Sequence, residues 1–346
     1  MKKILFITDT LKPPYDEGFK KTVYNLYKEL NNLYNIKVIC REGFKDDNIW
    51  VVSTNALFIS SKIFFLIRKY KPDTIIYLPF SSATIASYVR LFIFKLYAFR
   101  AKHIFFILQP QFIHKMYIGL AKFCVHKSYC LTSSIIQYEI WKKHNVHSEL
   151  IPLITNLSKF NPLTSEEEKY RLRNKYNLPI NKKIILHAGH INEGRNLQTL
   201  ISIQKKGYQV LIIESTSTPI DSIGPKSLRN ELIKSGILIM NNYIDSMREI
   251  YQLADLYIFP VINNLGSIGL PLSILEARAC GLKVLTSDFG SIKYFLNTDN
   301  GNIFYHDPNY FSDIIDHVLT LGTNSLCTGV RKLNDRFINV LKDIID

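Results

Sequence analysis

The residues best suited to chemistry lie in the run Ile268-Gly269-Leu270-Pro271-Leu272-Ser273-Ile274-Leu275-Glu276-Ala277-Arg278-Ala279-Cys280-Gly281. Pro271 fits the first position of a helix, where its missing N–H costs nothing. The amides of Leu272, Ser273 and Ile274 would then point outward, unpaired, at the positive end of the helix dipole. Such a terminus is an anion site suited to phosphate. Glu276, four residues after Leu272, falls about one turn deeper on the same side. A carboxylate there can accept hydrogen bonds from a sugar diol attached to the phosphate. The alternative is a capped helix whose first-turn Glu only complements the dipole.

A second strand–loop–helix unit runs from Ile184 to Leu197, through Gly189, His190, Gly194 and Arg195. Gly189 closes the strand, and Arg195 stands where a helix begins. An Arg at such a mouth can clamp a diphosphate in bidentate fashion; the other reading is a solvated surface charge. A third unit, Pro13-Pro14-Tyr15-Asp16-Glu17-Gly18-Phe19, joins the first strand to the first helix. Gly18 permits close backbone approach of a ligand at a helix N-terminus, or serves only the turn. It is not G-x-G-x-x-G, so the dinucleotide fingerprint is missing from this position.

Alternating elements position these three units. In the first half, strand patterns at Lys2–Thr8, Ile36–Cys40, Ile49–Ser53, Thr74–Leu78, Ile104–Leu108 and Tyr129–Thr132 are mostly separated by helical patterns. The first helix, Phe19–Asn31, carries Val23, Leu26, Tyr27 and Leu30 on one face. The pattern pauses at Ile151–Asn156 and Asn161-Pro162, and a charged helix, Ser165–Tyr176, follows. A new series has strands at Lys183–His187, Gln209–Ile213, Ile237–Met240, Leu256–Phe259 and Lys283–Thr286. The alternation predicts an α/β protein of two doubly wound, Rossmann-like domains, with ligands at the carboxyl ends of the strands and a cleft between the domains. The expected boundaries are 1–155, 156–330 and a final amphipathic helix, 331–346, whose return to the N-terminal domain is left open.

Composition narrows the class. The 346 residues are 47% hydrophobic and 21% charged, which excludes disorder and collagen-like repeats. Five cysteines (Cys40, Cys124, Cys130, Cys280 and Cys327) include no C-x-x-C pair, which argues against a disulfide framework or zinc site and suits a reducing compartment. MKKILFITDT lacks a following small-residue cleavage site and reads as a strand, not a signal peptide. No transmembrane helix is expected, because Arg90, Lys95, Arg100 and Lys102 break the most apolar stretch.

In order and spacing, the three units resemble the retaining GT-B glycosyltransferases of family 4. Glu17-Gly18 matches that family's Gly-Gly pair, Gly189-His190-Ile191 through Arg195-Asn196 its G-R-L-x-x-x-K-G segment, and Ile268 through Glu276 its E-x7-E motif. The flanks Ile151-Pro152, Phe160-x-Pro162, Ala254 to Pro260 and Ser287-Asp288-Phe289-Gly290 fit as well. The resemblance implies a GT-B fold and transfer of a sugar from a nucleotide-diphosphate sugar, UDP or GDP foremost, with retention at the anomeric carbon. By it, Arg195 and Glu276 are the catalytic candidates: Glu276 holds the ribose hydroxyls, and Arg195 takes the role of the family's phosphate-binding Lys. Gly18, Gly189, His190, Gly269, Leu270, Leu272 and Ser273 belong to the donor site, and main-chain atoms of Asn242, Tyr243 and Ile244 to the base. Gln109 stands on the acceptor side, where family members often have His. His190 replaces an Arg of the family, and Ile268 replaces the first Glu of E-x7-E. No Asp-x-Asp occurs, in keeping with protein cations in place of a metal and no further cofactor. Ile268 and His190 keep open a second reading, a degenerate GT-B partner subunit that binds nucleotide or glycan without turnover.

Lys and Arg number 43 against 29 Asp and Glu. Residues 1–155 hold 22 basic and 10 acidic side chains, whereas 156–346 hold 21 and 19. Within 51–150 the excess is 13 to 3 and is interleaved with aromatics, which suits an anionic membrane surface. The expectation is a cytoplasmic enzyme, peripheral on the inner face of the membrane, acting on a glycan or lipid-linked acceptor in envelope or surface glycan synthesis. The alternative is that the apolar faces cover the sheet and the charges only keep the domain soluble. No helix-turn-helix, RRM or zinc module is recognisable, so a nucleic-acid partner is not expected.

Overall fold

The computed structural model describes residues 1–15, 17–80, 83–110, 114–214, 226–263, 267–296, 302–321 and 328–346. Asp16 and Cys327 lie outside these, whereas Cys40, Cys124, Cys130 and Cys280 are buried. The chain divides into two compact units. One comprises Met1–Ile154, Ile268–Leu270 and Asp335–Asp346; the other comprises Thr155–Ser267 and Pro271–Asn334.

The first unit is built on seven parallel strands: β1 (Lys3–Thr8), β2 (Asn35–Cys40), β3 (Ile49–Val51), β4 (Thr74–Leu78), β5 (Lys102–Ile107), β6 (Tyr129–Thr132) and β7 (Ser148–Leu150). Their spatial order is β3-β2-β1-β4-β5-β6-β7, so the winding reverses between β1 and β4. β1 and β4 are buried almost throughout, as strands covered on both faces must be. Around the sheet run α1 (Gly18–Leu33), α2 (Ser61–Tyr70), α3 (Ile85–Tyr97), α4 (Ile118–Val125) and α5 (Ile135–Lys143). α1 buries Val23, Leu26, Tyr27 and Leu30, the stripe expected from the sequence, and Phe19 and Thr22 besides. On one side of the sheet Tyr77 stacks on Phe105 at 5.7 Å, and the buried Trp141 indole donates to Tyr88 Oη at 2.8 Å.

The second unit repeats the design with β8 (Ile184–Gly189), β9 (Gln209–Glu214), β10 (Leu238–Met240), β11 (Leu256–Phe259), β12 (Lys283–Thr286) and β13 (Ile303–Tyr305). The order is β10-β9-β8-β11-β12-β13, all parallel, reversing between β8 and β11. Its helices are α6 (Glu166–Lys175), α7 (Leu200–Lys205), α8 (Lys226–Lys234), α9 (Met247–Leu253), α10 (Leu272–Ala279), α11 (Ile292–Phe295) and α12 (Phe311–Thr320). The α/β class and the two Rossmann-like sheets agree with the sequence reading. The charged helix α6 is not a purely solvated one. Arg173, only 3% exposed, donates to the carbonyls of Leu253, Ile180 and Lys182, and to Asp255 Oδ2 at 2.6 Å. Asp255 also accepts from Lys169 Nζ and from the Ile184 amide, both at 2.7 Å.

The last helix, α13 (Thr328–Ile345), contains the boundary between the units, after Asn334. Within the second unit, the Asn334 amide exchanges two hydrogen bonds with the Thr155 backbone, at 3.0 and 2.7 Å. Within the first, Arg336 donates to Leu150 O, and Lys2 and Lys102 donate to the terminal carbonyls of the helix. Among the described residues, no helix is long and apolar enough to cross a membrane.

Each unit buries one neutral histidine in its sheet. Burial pushes His103, whose Nε2 donates to Ala98 O, down to about 4, and His187 down to about 3. Both folded values lie below the ordinary 6.5, so neither ring affects stability above that pH. Below it, the unfolded chain takes up protons that the folded chain refuses, and stability falls until pH approaches 4 and 3. At about 1.4 kcal/mol per pH unit, each ring costs roughly 2 kcal/mol at pH 5. Urea midpoints at pH 7 and pH 5 check this: His103→Leu should show a visibly smaller drop than the parent, and an identical drop would refute the assignment.

Candidate functional site

In a doubly wound sheet, ligand sites form at the carboxyl ends of the strands, where the winding reverses. In the second unit that point lies between β8 and β11. The loop after β8 carries Gly189, His190 and Arg195, and the connection after β11 leads into α10 with Leu272, Ser273 and Glu276. One parallel sheet therefore presents both segments at the same end. Asn242, Tyr243 and Ile244 follow β10 at that end; Asn242 and Tyr243 are exposed, and Ile244 is partly buried.

Tyr257 of β11 is the centre of the arrangement. Its buried hydroxyl hydrogen-bonds with the Ser273 side chain and lies 3.4 Å from Ala188 O. Burial raises its pKa to about 12 against the opposing pull of Ser273 and Arg195; Glu276 adds to the rise. Arg195, from the loop after β8, and Ser273 and Glu276, both from α10 and some eighty residues on, thus all bear on one phenol.

Arg195 is not a solvated charge at a helix start. It is 7% exposed and ends a short 3-10 turn (Glu193–Arg195), and Asn196, in the left-handed region at φ 54°, separates it from the next turn. Its guanidinium lies 5.8 Å from the Phe259 ring centroid. It also lies against the bare backbone of Gly189: a β-carbon added there would fall 2.7 Å from Nη1, and Gly189 has φ 153°. His187 packs beneath, its ring near those of Tyr257 and Phe259, with Nδ1 donating to Ile258 O at 3.0 Å. Burial and the nearby Arg195 keep this ring neutral. His190 is partly buried.

Helix α10 starts one residue later than expected. Pro271 is its cap, with an extended ψ of 123°, and its carbonyl accepts from the Ile274 amide at 3.2 Å. Ile274 is thereby withdrawn from the set of outward amides. Leu272 and Ser273, the first two helical residues, precede any intrahelical acceptor. Glu276 is the fifth residue of the helix, beyond the first turn in which a carboxylate chiefly complements the dipole. It is 2% exposed and accepts from Tyr251 Oη at 2.9 Å. Burial, with Glu276 as next contributor, holds the Tyr251 hydroxyl protonated far beyond neutral pH. Tyr251, Tyr257 and His187 escaped the sequence reading because they sit in apolar helix and strand patterns. The usable signal was that buried tyrosine hydroxyls need partners.

In the first unit, Gly18 opens α1, and the space a side chain would fill is met by Ile268, whose Cδ1 would lie 3.2 Å from an added β-carbon. Gly269 needs its bareness for backbone approach: an added β-carbon would fall 2.7 Å from Ser134 Cα, and its amide donates to Leu108 O at 3.3 Å. Leu270 is fully buried. Gln109, partly buried, lies just beyond β5 at the carboxyl end of the first sheet. Among the described residues, no group of three or more His, Cys, Asp or Glu is placed to hold a metal ion.

Residues 182–322, which span β8 to α12 and hold the Arg195–Tyr257–Glu276 cluster, match the family model described as Glycosyl transferases group 1. This stretch is a glycosyl transferases group 1 domain. The chain is 28% identical over 151 residues to the alpha-galactosylglucosyldiacylglycerol synthase of Streptococcus pneumoniae, a match covering 42% of this chain and 39% of that relative. The whole fold is similar to a glycosyltransferase from Rickettsia africae, with TM-score 0.77, 17% identity and coverage of 99% and 96%. It is also similar to Anabaena HepE solved with UDP-glucose, with TM-score 0.75, 14% identity and coverage of 99% and 100%. The fold is that of GT-B glycosyltransferases, two Rossmann-like domains.

Proposed function

We propose that the protein is a retaining, metal-independent glycosyltransferase of family 4, which moves a sugar from a nucleotide-diphosphate sugar to a hydroxyl of a glycan or lipid-linked acceptor. The observation that carries this reading is that the buried Arg195, seated on Gly189, and helix α10, with the Leu272 and Ser273 amides at its start and the buried Glu276 one turn on, both follow strands that meet at the switch point of the second sheet. A diphosphate seated there meets a guanidinium on one side and the Leu272 and Ser273 amides on the other, with Gly189 and His190 bordering it. Glu276, aimed by Tyr251, accepts from the ribose hydroxyls, and the backbone of Asn242, Tyr243 and Ile244 borders the base. UDP is the favoured nucleotide and GDP the next; the UDP-glucose complex of Anabaena HepE, a protein of the same fold, supports the first choice.

In the reaction, the bond from the anomeric carbon to the diphosphate oxygen breaks and a bond to the acceptor oxygen forms on the same face. The acceptor proton passes to the departing diphosphate. The barrier lies in the charge gathering on the leaving group, and a fixed, largely desolvated Arg195 opposes that charge without reorganising. Gln109 is assigned to the acceptor side. The name of the Streptococcus pneumoniae relative, a synthase of a glycosylated diacylglycerol, supports a lipid-linked acceptor, and with it a role in the cell envelope at the inner face of the membrane.

Thermal-shift titration with UDP, GDP, ADP and CMP, then with their sugars, tests the reading without an acceptor, because a ligand of the folded state raises Tm by mass action. UDP or GDP should raise Tm. Glu276→Ala should weaken that nucleotide by about 1.5–3 kcal/mol, the scale of charge-assisted hydrogen bonds, with Tyr251→Phe intermediate. No shift with any nucleotide, or an unchanged affinity in Glu276→Ala, would overturn it. Ile268 favours one second reading, a non-catalytic partner subunit: it puts an apolar side chain against Gly18 where the family has a carboxylate. Nucleotide binding with neither hydrolysis of any donor nor transfer would select that reading.

A further inference from the structure

The outer face of the first unit carries exposed rings and aliphatic tips that packing leaves without a use. Helices α2, α3 and α4 lie side by side there: Phe64 meets Tyr97 at 5.2 Å, Phe92 meets Phe123 at 5.1 Å, and Lys95 of α3 donates to Cys124 O and His126 O at the end of α4. Their inward residues, among them Ile63, Ile67, Leu91, Phe94 and Ala121, join the core. Their outward residues, and those of the adjoining turns at Phe99 and Met116, do not follow the polar pattern of a solvated face. Phe65 is 61% exposed, Leu96 60%, Phe99 68%, Met116 69% and Phe123 60%, with Leu120 close by at 42%. Exposed apolar groups this dense mark a binding surface rather than the ordinary scatter.

The charges around them are almost all basic. Residues 61–130 contain eleven Lys and Arg and one acidic residue, Asp73, whose carboxylate is engaged by the Lys3 amide at 2.8 Å. Arg68, Arg100, Lys115, Lys122 and Lys127 are exposed among the apolar tips. Arg68 lies over Phe64 and Arg100 over Phe99, at 5.7 and 5.4 Å. Beside Phe99 an open groove of 740 Å³ is lined by Arg68, Lys71, Arg100 and Lys102, with Asp73 its one carboxylate. A second, of 690 Å³, lies at the end of α4 beside Phe123 and is lined by Lys122, His126, Lys127 and His147.

We infer that this α2–α3–α4 face docks on an anionic lipid bilayer, its rings and aliphatic tips entering the headgroup–acyl boundary and its two basic grooves receiving lipid phosphates. The inference rests on the membrane part of the function proposed above and gives it a surface. Charge complementarity selects the occupant's sign, and the shape of the apolar part selects its class. Rings at an interface with Lys and Arg reaching past them are the pattern of surface-seated amphipathic helices. A single-stranded nucleic acid would stack bases on rings along a basic track, whereas Leu96, Met116 and Leu120 offer no stacking surface. A bilayer accepts such tips without a complementary shape.

Co-sedimentation of the full chain tests this, with vesicles of phosphatidylglycerol and phosphatidylcholine in equal parts or of phosphatidylcholine alone, at low and high salt. The parent protein should pellet with the anionic vesicles and much less with the neutral ones, weakening as salt rises. The triple variant Phe65→Ser/Phe99→Ser/Phe123→Ser and the triple variant Arg68→Glu/Arg100→Glu/Lys122→Glu should each lose about tenfold or more. Tyr170→Ser/Ile233→Ser, exposed on the second unit, should bind like the parent. All six face positions are exposed, so Tm should hold; should one triple variant fail to fold, the other carries the test. Failure of the parent to bind anionic vesicles would overturn the membrane reading itself. Parent binding that both folded triple variants retain would overturn only this surface. Loss confined to the charge variant would show that the vesicles are held by charge alone, and would overturn the entry of the rings into the headgroup–acyl boundary.

Discussion

Arg195→Ala is expected to lower turnover by about 10²–10³-fold, the loss seen when one preorganised donor is removed from a developing negative charge. The cost to folding should be smaller, about 1–2 kcal/mol, because the side chain contributes packing and a ring contact with Phe259 and is no part of the hydrophobic centre of the sheet. Gly189→Ala supplies an independent arm. Its new β-carbon would lie 2.7 Å from Arg195 Nη1 on a backbone at φ 153°, so the guanidinium must swing aside while its charge is kept. Turnover should fall here too. Arg195→Lys should lie between the parent and Arg195→Ala, keeping a point charge but losing the two-pronged fork. Turnover with the donor found by thermal shift, measured beside Tm, separates the possibilities. If both Arg195→Ala and Gly189→Ala kept their turnover while Tm fell, the guanidinium would be a packing element.

Much of this arrangement could be read from residue order. Thr74–Leu78, Tyr129–Thr132, Leu256–Phe259 and Lys283–Thr286 form strands at the expected limits, since each is a short apolar run closed by turn residues. Ser148–Leu150 and Ile303–Tyr305 were not anticipated. Each has three residues and lies at the edge of its sheet, paired on one side only, so little apolar periodicity marks it. The candidate site was legible where glycine, proline and charge punctuate the chain, at Gly189, Arg195 and the Pro271–Glu276 segment. It was illegible where support comes from across the sheet. Nothing local to Tyr257 announces that its hydroxyl joins Ser273 to the Arg195 loop, and nothing local to Tyr251 announces Glu276. The same limit explains Arg195 and Arg173. Both resemble surface charges in sequence, yet in the fold one rests on a glycine and a ring and the other is enclosed by three carbonyls and a carboxylate.

That second arginine leads to the largest expected effect on stability. Asp255→Ala should destabilise the protein by about 3–5 kcal/mol, the cost of stranding a buried partner charge. Asp255 stands at the amino end of β11, where it joins α6, through Lys169 and Arg173, to the start of β8. Burial pushes its carboxyl up, but Lys169, Arg173 and the Ile184 amide outweigh it and hold the net value below the ordinary 3.8. A depressed carboxyl contributes stability above its unfolded value, and that contribution is lost as pH falls through the folded value. The parent should therefore lose stability below about pH 4 more steeply than Asp255→Ala does. A double-mutant cycle with Arg173→Met should show strong non-additivity, since Asp255→Ala alone strands the buried Arg173 charge, whereas Arg173→Met leaves Asp255 with Lys169 and the Ile184 amide. Nucleotide affinity of the folded Asp255→Ala protein should match the parent. In parallel strands the amino ends hold the sheet to its helices, while the carboxyl ends are left to the ligand. A nucleotide affinity that changed while Tm stayed constant would contradict that division and place Asp255 in the binding machinery.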